Sequence, residues 1–380
     1  MKWILLLLVP FFLLIPTASQ ARTWHVKQDG TGDCTTIQAC INLASDGDSI
    51  LVGPGTYREN LVVTVPLVLV GELGSSQTAI DGGRLSGVNR RCITCSHPSG
   101  RVYISGFKVA EGVVPEPYPN NYAGGILCTT AELELRDCYV HHNFGGGVGC
   151  RAGTNVTIIN CDIVNNYGEI GDPYDTYANG VTGYNATGTF AGCRISASSF
   201  GYGVDWSGGQ LELSHNEIYE CSCAVRVLST GSVWIHHNLV RNDGDGIAVG
   251  SSAVSIENNT VVRQQNYGYG IIVSGCTGSV RNNVIVSGSH YGISCNGATT
   301  LSCNDVWNNS PGNYEGTCPH PTDISIDPLF CDALSGNYCL HSSSPCANAP
   351  GCGQIGAFGM ACGPTAVTET TWGRIKSMYR

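Results

Sequence analysis

From Gly124 to about Asn308, apolar residues alternate with polar ones over short stretches such as Val233-Trp234-Ile235 and Val254-Ser255-Ile256, and Gly, Asn or Ser clusters interrupt them. Such alternation predicts short strands and turns, with no helical spacing. The pattern also returns roughly every 22 residues. A Gly followed by Ile or Val marks each cycle, at Gly125-Ile126, Gly147-Val148, Gly180-Val181, Gly203-Val204, Gly246-Ile247, Gly270-Ile271 and Gly292-Ile293, with Ala224-Val225 filling the slot where Gly is missing. About 13 residues later comes a second column: Cys138, Cys161, Cys193, Asn216, Asn238, Asn259, Asn283 and Asn304. Two positions past it runs a third: Val140, Ile163, Ile195, Ile218, Val240, Val261, Ile285 and Val306.

A unit of about 22 residues cannot bury its inner face alone, so successive units must coil and stack. The expected fold is all-β, a parallel β-helix in which each strand pairs with its equivalent in the next coil at about 4.8 Å. Equivalent residues then lie one above another. The Ile/Val columns fill the interior, and the Asn column stacks its amides at a bend. Cys138, Cys161 and Cys193 take the same place in the first coils as small apolar side chains.

Both ends of such a solenoid expose strand edges and need covers. Thr35 to Ala44 is expected to form an N-terminal helical cap, with Thr35 as its capping residue and Ile37, Ile41 and Ala44 on one face. Asp323 to Cys362 loses the repeat, is rich in Pro, Cys and Gly, and reads as an irregular C-terminal cap. The expected organisation is a signal peptide over 1–21, the β-helix with its N-terminal cap over 22–322, the C-terminal cap over 323–363, and a linker and tail over 364–380.

The first segment has Lys2, an apolar run from Trp3 to Ile15, and Ser19-Gln20-Ala21 as a small-residue cleavage site, so the chain is expected to be exported. No later stretch reads as a membrane span. In an exported chain, 20 cysteines make disulfides the default reading. Neighbouring-coil pairs such as Cys128 with Cys150, or Cys138 with Cys161, come close enough to bond. Cys318, Cys331, Cys339, Cys346, Cys352 and Cys362 are expected to staple the C-terminal cap. Cys92-x-x-Cys95 and Cys221-x-Cys223 lack a second pair at zinc-finger spacing, and no metal site is assigned to them.

Charged residues are only 13% of the chain and the formal net charge is −10, which argues against a nucleic-acid partner. An acidic polysaccharide is repelled on average and needs bridging Ca²⁺ or a local Arg cluster. After Lys108 the next lysine is Lys376, so no lysine base stands among the later coils.

Asp29-Gly30-Thr31-Gly32-Asp33, Thr36-Ile37-Gln38, Asp46-Gly47-Asp48 and Gly55-Thr56-Tyr57-Arg58-Glu59-Asn60 resemble the opening of right-handed parallel β-helix proteins of the pectin lyase-like superfamily. The coils resemble it too, and Asp327-Pro328-Leu329-Phe330, Gly336-Asn337-Tyr338-Cys339-Leu340 and Ser344-Pro345-Cys346 look like the ending of secreted bacterial members. The resemblance implies a right-handed solenoid and a polysaccharide or cell-surface glycan as partner. It does not imply one activity, since that superfamily spans lyases, hydrolases, esterases, epimerases and non-catalytic surface proteins. The Gln-Asp and Asp-Phe-x-Phe-Gly motifs of pectin methylesterases are absent. Of the polygalacturonase motifs only an echo stands at Asn242-Asp243-Gly244-Asp245-Gly246, and Arg374-Ile375-Lys376 falls in the tail. Val233-Trp234-Ile235-His236-His237, followed by Asp243-Gly244, is similar to a pectate lyase segment. His236, however, replaces its acidic residue, and the Arg-x-x-Pro-x-x-Arg segment that supplies the base is missing.

If the Ile or Val of each Gly-Ile pair points inward, the next residue points out, which gives the column Leu127, Gly149, Thr182, Asp205, Arg226, Ala248, Ile272 and Ser294. Asp205 and Arg226 are then neighbours. Asp243 and Asp245 lie in the turn into the next strand, so all four are expected on one face as a catalytic or ion-binding group. The step from Gly147 to Gly180 is about 11 residues too long, and the excess carries Glu169, Asp172, Tyr174, Asp175 and Tyr177. Inserted loops on a solenoid often bind ligands, so Thr182, Asp172, Tyr174, Asp175 and Tyr177 are candidate substrate contacts. Tyr269 and Tyr291 stack in register and form a further candidate row for sugar rings, or an aromatic ladder alone. His215 and His237 also stack, beside His236, with no third metal ligand evident. Thr371 to Arg380 is basic and amphipathic, as suits a docking tag or a loose end. Two functions stay open: a non-catalytic surface scaffold that contacts polysaccharide, favoured by the missing signatures, and a polysaccharide-active enzyme (lyase, hydrolase or epimerase) using the face around Asp205 and Arg226, with Ca²⁺ as a possible cofactor.

Overall fold

The computed structural model describes residues 20–84, 90–97, 99–114, 123–129, 132–168, 179–197, 201–262 and 268–362. The expected signal segment, the insertion with Glu169, Asp172, Tyr174, Asp175 and Tyr177, and the C-terminal tail lie outside the described residues.

Two large sheets, of 21 and 11 strands, are parallel throughout and wind as one solenoid. The columns become register partners. In the larger sheet Val181, Val204, Val225, Ile247, Ile271 and Ile293 pair in succession. In the smaller one Val140, Ile163, Ile195, Ile218, Val240, Val261, Ile285 and Val306 do the same. All of these side chains are buried in one continuous core. Among the described residues the largest fully buried side chain is Trp206, which donates from Nε1 to the Ala186 carbonyl at 3.2 Å. Gly183 makes room for the indole, because a Cβ there would stand 2.2 Å from its ring.

The Asn column is a continuous hydrogen-bonded ladder. Asn216, Asn238, Asn259 and Asn283 each donate from N and Nδ2 to the Oδ1 of the next Asn, at 2.9–3.1 Å, and Asn304 ends the run on Asp323. Cys161 and Cys193 fill the same slot and donate from Sγ to the carbonyl two residues back, at 3.3 and 3.4 Å. They act as weak ladder donors as well as small apolar groups. The residue before each rung is left-handed, with φ of 55° at His215, 56° at His237, 53° at Asn258 and 55° at Asn282. Asn, Asp and His tolerate that region better than most residues do.

The N-terminal helix runs Ile37–Leu43 and is capped by Thr36, whose hydroxyl accepts from Ala39 N at 3.4 Å. Thr35 is therefore not the cap. The helix buries Ile37, Cys40 and Ile41, and Ala44 stands just past its end. Glu59 also accepts from Ile37 N and Gln38 N, both at 2.9 Å, placing a carboxylate where orphan N–H groups need one.

The C-terminal region does more than close an end. Its strands Phe330–Asp332, Asn337–His341 and Met360–Cys362 form a small sheet. Tyr338, Leu340, Ile355 and Phe358 pack against Leu239, Val262, Val284 and Val286 on the flank of the solenoid. Asn282 Nδ2 donates to the Cys352 and Gln354 carbonyls at 2.9 and 3.1 Å, fixing the cap to the coils.

Disulfides join Cys34–Cys40, Cys295–Cys318, Cys303–Cys352 and Cys331–Cys362. Four of the six cap cysteines are so used, and Cys339 and Cys346 are not. Cys295–Cys318 joins successive coils, but the staples expected between Cys128 and Cys150 and between Cys138 and Cys161 do not form: Cys128 and Cys150 are register partners, and they, Cys138 and Cys161 are all buried thiols. Burial pushes the Cys150 and Cys161 thiols well above the ordinary range, which withholds the thiolate needed for exchange. Alkylation of unreduced, denatured protein is thus expected to label twelve thiols, and native protein almost none. Fewer than twelve would mean that further disulfides exist in solution.

Candidate functional site

The column is in register as counted, although Leu127, Gly149 and Ser294 within it are buried. Leu127, Gly149, Thr182, Asp205, Arg226, Ala248, Ile272, Ser294 and Glu315 are successive register partners. Glu315 extends the expected column by one coil. Arg226 meets Asp205 side by side, with Nε to Oδ1 and Nη2 to Oδ2 both at 2.9 Å, while Nη1 donates to Tyr202 Oη at 3.1 Å. The guanidinium also lies over the Tyr202 ring, 4.0 Å from its centroid. Asn179 closes the other side: its Nδ2 donates to Thr182 Oγ1 at 3.0 Å and to Asp205 Oδ2 at 3.3 Å. Burial works against the Arg226 charge, but the hydrogen bonds and charge of Asp205 outweigh it and hold the group above the ordinary arginine range. The result is a locked cation with every described nitrogen contact committed.

Asp243 does not stand on that face. It is 1% exposed and sits at a second bend, five residues beyond Asn238, where the equivalent residues in other coils are Asn143, Asn166 and Asn309. Its Oδ1 accepts from Cys221 N at 2.8 Å, as Asn166 Oδ1 does from Asn143 N at 3.1 Å. Its Oδ2 is buried with no hydrogen-bond partner. Burial pushes this carboxyl well above the carboxylate range. The expectation of four charged groups gathered on one surface therefore fails at Asp243, because the bend turns that position inward.

Asp245 is half-buried one column over, in register with Cys223 and, beyond it, Tyr202. It accepts from Tyr269 N at 2.9 Å, as Asn179 accepts from Tyr202 N at the same distance. Burial raises its pKa against the opposing pull of the Tyr269 N–H and of His290. The next two members of that column are the predicted tyrosines. Tyr269 and Tyr291 stack with centroids 6.3 Å apart and an interplanar angle of 23°. His290 packs on both, at 4.3 and 5.1 Å, and its buried Nδ1 has no hydrogen-bond partner. Burial and the neighbouring Glu315 raise the Tyr269 phenol, and Glu315 accepts from Ser294 Oγ at 3.0 Å. His290 and Glu315 were not singled out from sequence. Counting one more period from Ser294 reaches Glu315, whereas His290 occupies a bend that no column marks.

His215 and His237 stack at 4.9 Å and 7°, and His236 stacks on the exposed Trp234 at 4.0 Å. Burial and its imidazole neighbours lower the His215 pKa to about 4, and burial and His236 lower that of His237. Cys92 and Cys95 are buried thiols, Cys92 donating to the Ala110 carbonyl at 3.0 Å. Among the described residues no group of three or more His, Cys, Asp or Glu side chains converges as a metal site.

Among solved structures, a mutant of a periplasmic alginate epimerase is similar in fold, with a TM-score of 0.53 and 12% identity over 73% of this chain and 77% of that one. A complex of XylC with xylose gives a TM-score of 0.52 at 12% identity, over 81% and 87%. Pectate lyase Pel9A gives 0.49 at 17% identity, over 90% and 97%. At such identities the likeness is one of fold. No curated protein sequence matches the chain. The family described as "Right handed beta helix region" matches residues 73–261 and 179–318. Those matches together span more than half of the chain, and they agree with the stacked parallel coils above: the chain belongs to the right handed beta helix family.

Proposed function

We propose that this is an extracytoplasmic β-helix protein that binds polysaccharide along the outward face running from Thr182 to Glu315, and that it does so as a non-catalytic surface scaffold. The four disulfides, the exported-type opening of the sequence and the absence of any helix long and apolar enough to cross a membrane among the described residues support the compartment. The solved structures of similar fold, titled as acting on alginate or holding xylose, support a glycan as partner. One observation carries the non-catalytic reading. Arg226 and Asp205 satisfy each other through two 2.9 Å bonds, and Tyr202 and Asn179 take the remaining contacts, so neither presents a group to exchange protons with a substrate.

Incubation with neutral and uronic-acid polysaccharides, with and without Ca²⁺, is expected to retain the protein on at least one of them and to produce no new reducing or unsaturated ends. Asp205→Asn and Arg226→Lys should weaken thermal stability more than glycan retention.

A second reading, catalysis, is favoured by Asp245 and His290: a half-buried carboxyl with a raised pKa stands near an imidazole whose buried nitrogen lacks a partner. New chain ends that vanish in Asp245→Asn but persist in Arg226→Lys would replace the scaffold with this reading.

A further inference from the structure

The aromatic stretch of this face carries carboxylates, and the described arginines around it are all committed to other carboxylates. From residue 179 to 362 the sequence contains five basic residues, Arg194, Arg226, Arg241, Arg263 and Arg281, and no lysine. Arg226 is held by Asp205, Arg194 and Arg241 share Glu217, and Arg281 is paired with Glu257. Arg263 lies outside the described residues. Against these stand Asp245 and Glu315, beside the row of Tyr269, His290 and Tyr291.

We infer that the glycan this face takes is uncharged, a neutral hexose or pentose polymer whose ring faces stack on Tyr269 and Tyr291 while its hydroxyls donate to Asp245 and Glu315. The inference rests on the reading of this surface as a polysaccharide site and adds the class of sugar. A polyuronate carries one negative charge per residue. Laid along the four coil steps from Arg226 to Glu315, about 19 Å, it would bring several carboxylates over two protein carboxylates with no spare guanidinium to receive them. Removing charges from water without a partner is costly. A neutral sugar meets no such penalty: hydroxyl donors suit acceptor-only carboxylates, and C–H faces suit aromatic rings.

Affinity electrophoresis and calorimetry of the full chain against xylan, mannan, glucan and galactan, with polygalacturonate and alginate in parallel, test this. A neutral polymer is expected to bind with little salt dependence, and Tyr291→Ala to weaken it by about tenfold at an unchanged thermal midpoint, while Tyr291→Phe retains it. Glu315→Lys combined with Asp245→Asn is expected to admit polygalacturonate. Preference for a polyuronate overturns the inference, whether it fades with salt, requires Ca²⁺ or disappears in Arg263→Ala. Failure to bind any polysaccharide overturns the proposed function itself.

Discussion

Asn238→Ala is expected to be the most damaging single substitution in the middle coils, lowering stability by about 3–5 kcal/mol. The side chain is fully buried and makes bonds in both directions along the solenoid. Its Oδ1 accepts from Asn216 N at 2.9 Å and Asn216 Nδ2 at 3.0 Å. Its Nδ2 reaches the Leu213 carbonyl at 2.9 Å, the His236 carbonyl at 3.0 Å and Asn259 Oδ1 at 3.0 Å. Truncation strands a backbone N–H, an amide and carbonyls in a dry interior, each costing about 1–3 kcal/mol when unsatisfied. Asn238→Cys should fall between wild type and Asn238→Ala, because the thiols of Cys161 and Cys193 show that sulfur restores the donor side of this slot but not the acceptor. His237→Asn, next door, should be nearly neutral, since Asn258 and Asn282 hold the same left-handed position. Chemical denaturation followed by circular dichroism reads all three. Equal midpoints for Asn238→Ala and wild type would mean that the ladder only decorates the bend. Because the C-terminal region ties together only the coils from Leu239 onward and the others contact chiefly their neighbours, loss of this rung is also expected to split the transition, with the coils before it melting separately from those after it.

The architecture was legible because columns that recur at one period can only become register partners. Asp205 beside Arg226 followed from counting along the chain, and the structure brings them together. Counting failed where side-chain direction depends on a bend rather than on strand alternation. The position five residues past the ladder holds Asn143, Asn166, Cys221, Asp243, Gly288 and Asn309 in different coils, so no repeated residue type advertised it as inward. The C-terminal region was read as an end cover, yet it also packs on the flank. A sequence signal for that existed: Val284, Ile285 and Val286 are consecutive apolar residues, which a strand uses when both of its faces are covered. The disulfide-stapled cap was legible from its dense cysteines, but pairing within the coils was not, since nearness of Cys128 to Cys150 in the period says nothing about whether two buried thiols are ever oxidised. Of the site, the outward column and the tyrosine row were visible, and His290 and the second bend were not.

Asp243→Asn is expected to stabilise the protein, and increasingly so as pH rises. At this bend Asn143 and Asn309 donate from Nδ2 to the carbonyl two residues back, at 3.1 and 3.2 Å, and to a carbonyl of the preceding coil, at 3.0 and 3.1 Å. By analogy with those coils, an amide at position 243 would meet the carbonyls of Arg241 and Ile218, whereas the Asp243 Oδ2 has no hydrogen-bond partner. An ionised carboxylate has nothing to donate there; a protonated one does. Burial raises its pKa and outweighs the rest: the N–H and the side chain of Cys221 lower it, the cation of Arg241 lowers it further, and Glu220 raises it. Cys223 and Asp245 lie on the adjoining strands and give it no cation. With its folded pKa raised well above the ordinary 3.8, the native state binds more protons than the unfolded chain between those two values. Stability therefore falls as pH rises through that window, and above it the buried charge, or the cost of keeping it neutral, remains in full. Asparagine supplies the missing donor at every pH and removes the titration. Thermal midpoints measured from acid to alkaline pH should show the wild type losing ground steadily and Asp243→Asn flat by comparison, with a gain of about 1–3 kcal/mol at neutral pH and above. Asp243→Ala serves as the control, since it removes the charge without providing a donor and should recover only the pH dependence. Parallel pH profiles for wild type and Asp243→Asn would show that Asp243 is ionised or solvated in the native protein and is not an acid standing in an asparagine's place.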